Sequence, residues 1–195
     1  MTKLGAWVGA LTILSAFLAP SRPFAQTANF KCPPPGTIVE FSDGQRTTWV
    51  GPEGQFCRLQ QKGRDGQESV RNWYAPAAVL TASISQTWAD QIKPWTLWPL
   101  AVGKKIDARY DGPGTNTGFS GSWSHKLVVE NYERTTTRAG TFDTFVVLFK
   151  QDGISHRFKG AFRQWYAPEA GVSVKFDYSD SSGVKAAGEA ISIKR

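Results

Sequence analysis

The sequence predicts an all-β protein: an antiparallel β-barrel or barrel-like sandwich of about nine or ten strands, with one short helix or crossover near residues 82–92. Three observations lead there. Apolar and polar residues alternate with period two along most of the chain after residue 25. Asp-Gly and related turn dipeptides punctuate those alternating runs. One stretch alone, "ASISQTWADQI" at 82–92, has helical spacing, and Pro94 stops it.

The chain opens on a segment outside the fold. Lys3 precedes an uninterrupted apolar run from Leu4 to Ala19, and Pro20, Arg22 and Pro23 then break it. The run is short for a membrane span, and the small residues of "FAQTA" offer a cleavage site. Residues 1–25 therefore read as a secretory signal peptide cleaved near Ala25, with cleavage at Ala28 or an uncleaved anchor as alternatives. No lipid-attachment sequence precedes Cys32, so lipidation is not expected. The remainder, 26–195, is expected to be a single β domain without a transmembrane segment, in the periplasm or secreted.

Removing residues 1–25 takes two cations and no acid, which lowers the formal charge from +7 to +5. That excess suits weak attraction to anionic envelope surfaces and is no nucleic-acid signature. The two cysteines, Cys32 and Cys57, both follow the signal. An even pair in an oxidising compartment reads as one disulfide. Two sulfurs without clustered histidines do not complete a zinc site, and no metal or other cofactor is expected.

The first strand is "GTIVEF", where Val39 and Phe41 share a face, and "SDG" at 42–44 turns it. "WYAP" at 73–76 ends a later strand, because proline cannot donate to the next ladder bond. After the helix, "PWTLWPL" at 94–100 sets Trp95 and Trp98 among prolines, a strap suited to covering one end of a barrel. In 104–110, Ile106, Ala108 and Tyr110 oppose Lys105, Asp107 and Arg109. "YDGPG" at 110–114, "RAGTF" at 138–142 and "QDG" at 151–153 read as turns. Trp123, Leu127 and Val129 share a face. "TFDTFVVLF" is apolar on both faces and predicts a central, covered strand. "WYAP" recurs at 165–168, and Val172, Val174, Phe176 and Tyr178 then alternate with Ser173, Lys175 and Asp177.

The repetition extends beyond four letters. "GTIVEFSDG" at 36–44 resembles "GKKIDARYDG" at 103–112, and each is followed by a WYAP. Two related halves, about 32–80 and 97–195, are one explanation; convergent meander chemistry is the other. The Asp-Gly to Trp distance is 24 residues greater in the second half, about the size of an extra hairpin. Trp73, Tyr74, Trp165 and Tyr166 are expected to build a twice-used structural corner, with Trp73 and Trp165 in comparable environments.

Few residues invite chemistry. His125 and His156 are the two histidines, and each sits on an apolar strand face. They are candidate polar groups of a cavity; the plainer reading is two core or rim histidines satisfied by backbone or hydroxyl partners. No Gly-x-Ser-x-Gly elbow and no free nucleophilic cysteine accompany them. Arg157, Lys159, Arg163 and Lys175 form a candidate basic face for an anionic envelope component, or simply a solvated surface. Asp177 and Asp180 in "DYSDSSG" fit a solvated turn better than a calcium loop. Seven tryptophans follow the signal, which suits either barrel filling or sugar platforms.

"LWPLAVGKK", "VVENYERTTTRAGTFDTFVVLF" and "RQWYAPEAGVSVKFDY" together resemble a large group of exported bacterial β-proteins of unknown function, including the TapB-like proteins. The match covers about residues 97–178. The first half agrees only through "GTIVEFSDG" and "WYAPAAV"; it has the cysteine pair and lacks an "AGTF" segment. The resemblance implies a β-barrel-like envelope protein with no established catalytic residues, and makes Thr141, Phe142, Trp165, Tyr166 and Pro168 fold determinants. The expected function is a non-enzymatic, soluble envelope module with a binding or structural role, with an apolar, lipid-like ligand as the candidate cargo. A carbohydrate-binding module using surface tryptophans is the alternative, and a hydrolase the third reading.

Overall fold

The computed structural model describes residues 26–115, 119–155 and 157–195. The signal segment and His156 lie outside them. Eleven antiparallel strands form one sheet that curls into a half-barrel, with one short helix. The expected architecture is present, with eleven strands where nine or ten were anticipated.

Two meanders make the sheet. The first comprises β1 (Ile38–Phe41), β2 (Arg46–Glu53), β3 (Phe56–Lys62), β4 (Glu68–Ala75) and β5 (Ala78–Thr81). The second comprises β6 (Lys105–Pro113), β7 (Ser120–Thr137), β8 (Gly140–Gly153), β9 (Lys159–Ala167), β10 (Val172–Asp180) and β11 (Lys185–Lys194). Within each meander every strand pairs with its neighbour in sequence, and β1 pairs with β11 to weld the two together. The sheet edges are thus β5 and β6.

Strand by strand, β1 to β4 correspond to β6 to β9: a strand, an Asp-Gly, two strands, then a strand ending in WYA. The 24 extra residues are therefore not an added hairpin. β7 and β8 are themselves long, 18 and 14 residues against 8 and 7 for β2 and β3. The far half of this long hairpin reaches β11, where the Ala139 amide donates to the Ala190 carbonyl and Arg138 pairs with Glu189.

Helix α1 (Ala82–Ile92) links the meanders and fills the gap between the sheet edges. Its buried face is Ser85, Trp88, Ala89 and Ile92, the i, i+3, i+4, i+7 stripe of an amphipathic helix. Asn72 Nδ2 donates to Ser85 Oγ at 2.8 Å on one side. On the other, Gln91 exchanges hydrogen bonds with the Asp111 backbone of edge strand β6. The helix so satisfies backbone groups that an open edge would present for aggregation. It stops at Lys93, whose left-handed φ of 53° precedes a 3-10 turn, Pro94–Leu97.

Two expected turns are strand. Asp111–Pro113 and Gln151–Gly153 belong to β6 and β8. Gly112 is required by packing, because a Cβ there would strike the Tyr110 ring folded over it. "SDG" does turn, between β1 and β2, with Gly44 at φ 88°. The run Phe145–Phe149 is buried on both faces, as its composition predicts, and β8 lies inside the sheet between β7 and β9.

A candidate ligand cavity

The curled sheet encloses a cavity of about 710 Å³, within the range of small-molecule sites, about 300–1,000 Å³. Its lining follows from the strand register. On β2–β4 the inward residues are Thr47, Trp49, Leu59, Gln61, Ser69, Arg71 and Trp73. Gln61 is paired with Thr47 and with Ser69, and Leu59 with Trp49 and with Arg71. Across the cavity stand Phe41, Phe149, Phe162, Phe176 and Val172. One wall is therefore polar in its upper half, and the facing wall is mainly aromatic, with Thr115, Gln164 and Ser173 among its polar members.

The upper end opens between three hairpin turns, represented in the lining by Gln45, by Gly63, Arg64, Asp65 and Gln67, and by Asp180 and Val184. Charges at this rim are engaged locally. Arg64 faces Asp43 at 3.8 Å. Asp180 accepts from the Ser182 and Tyr178 hydroxyls and from the backbone amides of Ser182 and Val184, and these bonds hold its carboxyl below the ordinary value. "DYSDSSG" is thus a self-capped turn. Gln61 Nε2 donates to Gln45 Oε1, and Gln45 Nε2 to Asp43, each at 2.8 Å.

The lower end is closed by aromatic rings. Phe30 stacks on Trp73 at 5.7 Å, and Trp98 packs against Phe30, Trp73 and Tyr166. Trp98 Nε1 donates to the Tyr74 carbonyl at 2.9 Å, which fixes the proline-rich strap beneath the barrel. The Cys32–Cys57 disulfide is formed. It ties the N-terminal segment carrying Phe30 to β3, and the Ala28–Leu100 bridge ties it to the strap.

The two WYAP corners meet at this floor. Trp73 and Tyr166 have ring centroids 5.8 Å apart. The Ala77 amide, in the turn after β4, donates to Gln164 Oε1 of β9 at 2.7 Å. This bond and the ring contact join the two meanders at the floor by side chains, away from the β1–β11 ladder. Trp73 and Trp165 do not share an environment. Trp73 faces the cavity, whereas Trp165 lies on the outer face, donating to Glu133 at 2.8 Å with Lys175 Nζ 4.5 Å above its ring. Tyr166 holds the inward position in the second copy and Tyr74 turns outward toward Trp88. The strands are offset by one residue, and with a period of two that exchanges faces.

His125 is not a cavity group. It is fully buried beneath α1, where Trp88 Nε1 donates to its Nδ1 at 2.8 Å. It stacks on Tyr110 and meets Phe149 edge-on. Its Nε2 has no hydrogen-bond partner among the described residues. Burial in this apolar shell lowers its pKa from 6.5 to about 3, so the ring is neutral. His125 thus lies in the core, but its one partner is an indole and not the backbone or hydroxyl group the sequence suggested.

The candidate basic face is already paired in part. Arg163 donates to Glu130 at 2.7 Å and lies 3.6 Å from Asp177. Lys175 caps Trp165. Arg157 and Lys159 are exposed, with Lys159 opposite Asp152 across the β8–β9 ladder. The carbohydrate alternative loses its premise as well: all seven tryptophans in the described residues are buried or half-buried.

Arg71 was missed in the sequence. Its guanidinium is half-buried in the cavity wall, and its Nε donates to Ser69 Oγ at 3.1 Å. Burial lowers its pKa from the ordinary arginine value, with no carboxylate opposing that direction. The signal was present in "SVRNWY", where alternation sets Ser69, Arg71 and Trp73 on one face.

No family model matches this chain, and no curated protein does. Two solved structures are similar to it. One, from Bacteroides fragilis, is described as an exported protein with a YmcC-like fold; it shares 13% identity at a TM-score of 0.40, over 86% of this chain and 100% of that one. The other, from Parabacteroides distasonis, is described as a lipoprotein; it shares 13% identity at a TM-score of 0.39, over 87% of this chain and 100% of that one. At these scores the likeness supports no conclusion about this chain.

Proposed function

We propose that this protein is an exported, non-enzymatic envelope module that holds an apolar, lipid-like ligand inside the curled sheet. The observation that carries the reading is the cavity itself. A packed barrel interior leaves few voids larger than a water molecule, whereas this one holds about 710 Å³ flanked by Trp49, Trp73, Phe149, Phe162 and Phe176. Its aromatic floor is sealed and its rim is polar, the arrangement that buries an apolar body and leaves one end near water. The signal-like segment and the disulfide support a periplasmic or secreted location, where thiols oxidise. A cargo in the cavity is better supported than an anionic partner on the outer face, because Arg163 is already engaged by Glu130 and Asp177. His125, sealed beneath Trp88, offers no base beside a serine or carboxylate.

Native mass spectrometry of the protein purified from its own envelope fraction tests the reading. A co-purifying apolar adduct, released on denaturation, is expected. A clean unliganded mass, together with no uptake of added lipid-like probes, would refute it.

A further inference from the structure

We infer that the cavity takes a single-chain amphiphile with an anionic headgroup, whose head is bound by Arg71 and whose chain lies along the aromatic wall. This rests on the cavity being a ligand site. Arg71 is the observation that points to charge. It reaches the cavity from the middle of β4, below the rim, between Ser69 above it and Trp73 beneath it. No ion pair among the described residues includes it, and its one hydrogen bond uses Nε, with Ser69 as acceptor. The Nη pair is left to the cavity. A half-buried cation without a counter-ion is costly, and an anionic ligand relieves that cost. The planar fork matches the two oxygens of a carboxylate or phosphate. Thr47, Gln61 and Ser69 line the same wall and add hydroxyl and amide groups around the head.

Below the rim the opposite wall has no charge: Phe41, Phe149, Phe162, Phe176 and Val172 are apolar, and its polar members Thr115, Gln164, Ser173 and Tyr178 are neutral, with Gln164 Oε1 already accepting from the Ala77 amide and the Ser173 hydroxyl. The acids Asp65 and Asp180 are confined to the rim, and Asp180 is held by its own turn. Size sets the number of chains. At about 30 Å³ per water-sized group, close to the bulk of a methylene, the 710 Å³ cavity holds roughly twenty-four such groups. That suits one long acyl chain with a head.

The test is equilibrium binding of palmitate, hexadecyl phosphate and methyl palmitate to the mature chain and to Arg71→Gln and Arg71→Lys, followed by tryptophan fluorescence. Trp49 and Trp73 line the cavity and supply the signal. The native chain is expected to prefer an anionic probe over the neutral ester by about tenfold or more, the scale of one charge-assisted pair. The better of palmitate and hexadecyl phosphate identifies a carboxylate or a phosphate head. Arg71→Gln is expected to bind methyl palmitate unchanged and to lose the preference. Arg71→Lys, which keeps the charge without the fork, is expected to retain part of it, and serves as the test variant should the glutamine form not fold. Equal binding of anionic and neutral probes by the native chain, or a preference that survives in Arg71→Gln, overturns the anionic head and leaves the apolar site standing. Failure of all three probes to bind overturns the cavity reading itself.

Discussion

Lowering the pH should destabilise this protein through His125 before its carboxylates titrate. The imidazole is sealed in an apolar shell and carries a folded-state pKa of about 3, against 6.5 for a free histidine. Its folded pKa is depressed, so the unfolded chain binds the proton first. The contribution is fully present above about pH 6.5 and is lost as the pH falls toward 3. One unit is worth about 1.36 kcal/mol, so at pH 5 roughly one and a half units, or about 2 kcal/mol, has gone. Below the folded pKa the loss reaches about 5 kcal/mol. That is a large part of the roughly 5–15 kcal/mol by which domains are stable. Glu40, Asp111 and Asp180 also have lowered pKa values, through hydrogen bonds from Ser192, Ser122 and Ser182. Their contributions are lost only as the pH falls below their ordinary values of 4.5, 3.8 and 3.8. The interval from about pH 5 to 6.5 therefore isolates histidine. Urea unfolding across that interval, in the native chain and in His125→Gln, measures the effect. The glutamine keeps an acceptor for the Trp88 indole and cannot titrate, so its stability should be flat where the native chain loses about 2 kcal/mol. Parallel curves for the two proteins would refute the argument.

Two further perturbations test the floor and wall of the cavity. Replacing both Cys32 and Cys57 by alanine removes a cross-link with a sequence separation of 25, which should cost about 3 kcal/mol and lower the guanidinium midpoint; an unchanged midpoint would show that the N-terminal segment is held by Phe30 and Ala28 alone. Gly188→Ala would place a Cβ 2.7 Å from Cε1 of Phe176, a clash worth about 1–3 kcal/mol unless the ring shifts. The ring lines the cavity, so thermal melting and methyl palmitate affinity should both fall, and retention of both would mean that the wall yields freely.

Much of the fold was legible because its rules are local. Alternation in "KIDARY" and "VSVKFDY" marked strands, and "ASISQTWADQI" marked the helix to the residue. The cysteine pair needed only a count and a compartment. Alternation also separates the two faces of each strand, but not which face turns inward. Five β-bulges or register shifts, near Phe41, Gly51, Ala75, Asn131 and Lys175, interrupt the ladders. Each exchanges faces and bends its strand. The shift beside Ala75 lies within the first WYAP corner, and that beside Lys175 follows the second. For the same reason "YDG" looked like a turn, when its glycine was answering the Tyr110 ring two residues away.

The sequence by itself determined that this is a disulfide-bonded, antiparallel β-protein with one crossover helix, because backbone periodicity, turn chemistry and cysteine oxidation act over a few residues or depend on compartment alone. Only the tertiary structure decided that the sheet curls without closing its ladder, that the two WYAP corners meet as Trp73 on Tyr166, that His125 is sealed by Trp88, and that Arg71 stands above the aromatic floor without an ion pair among the described residues. Each of those depends on contacts between residues at least 37 positions apart, or on the absence of one, as the separations of 37 for Trp88–His125 and 87 for Ala77–Gln164 show. Contacts at that range are set by curvature and packing, to which a period-two pattern is blind.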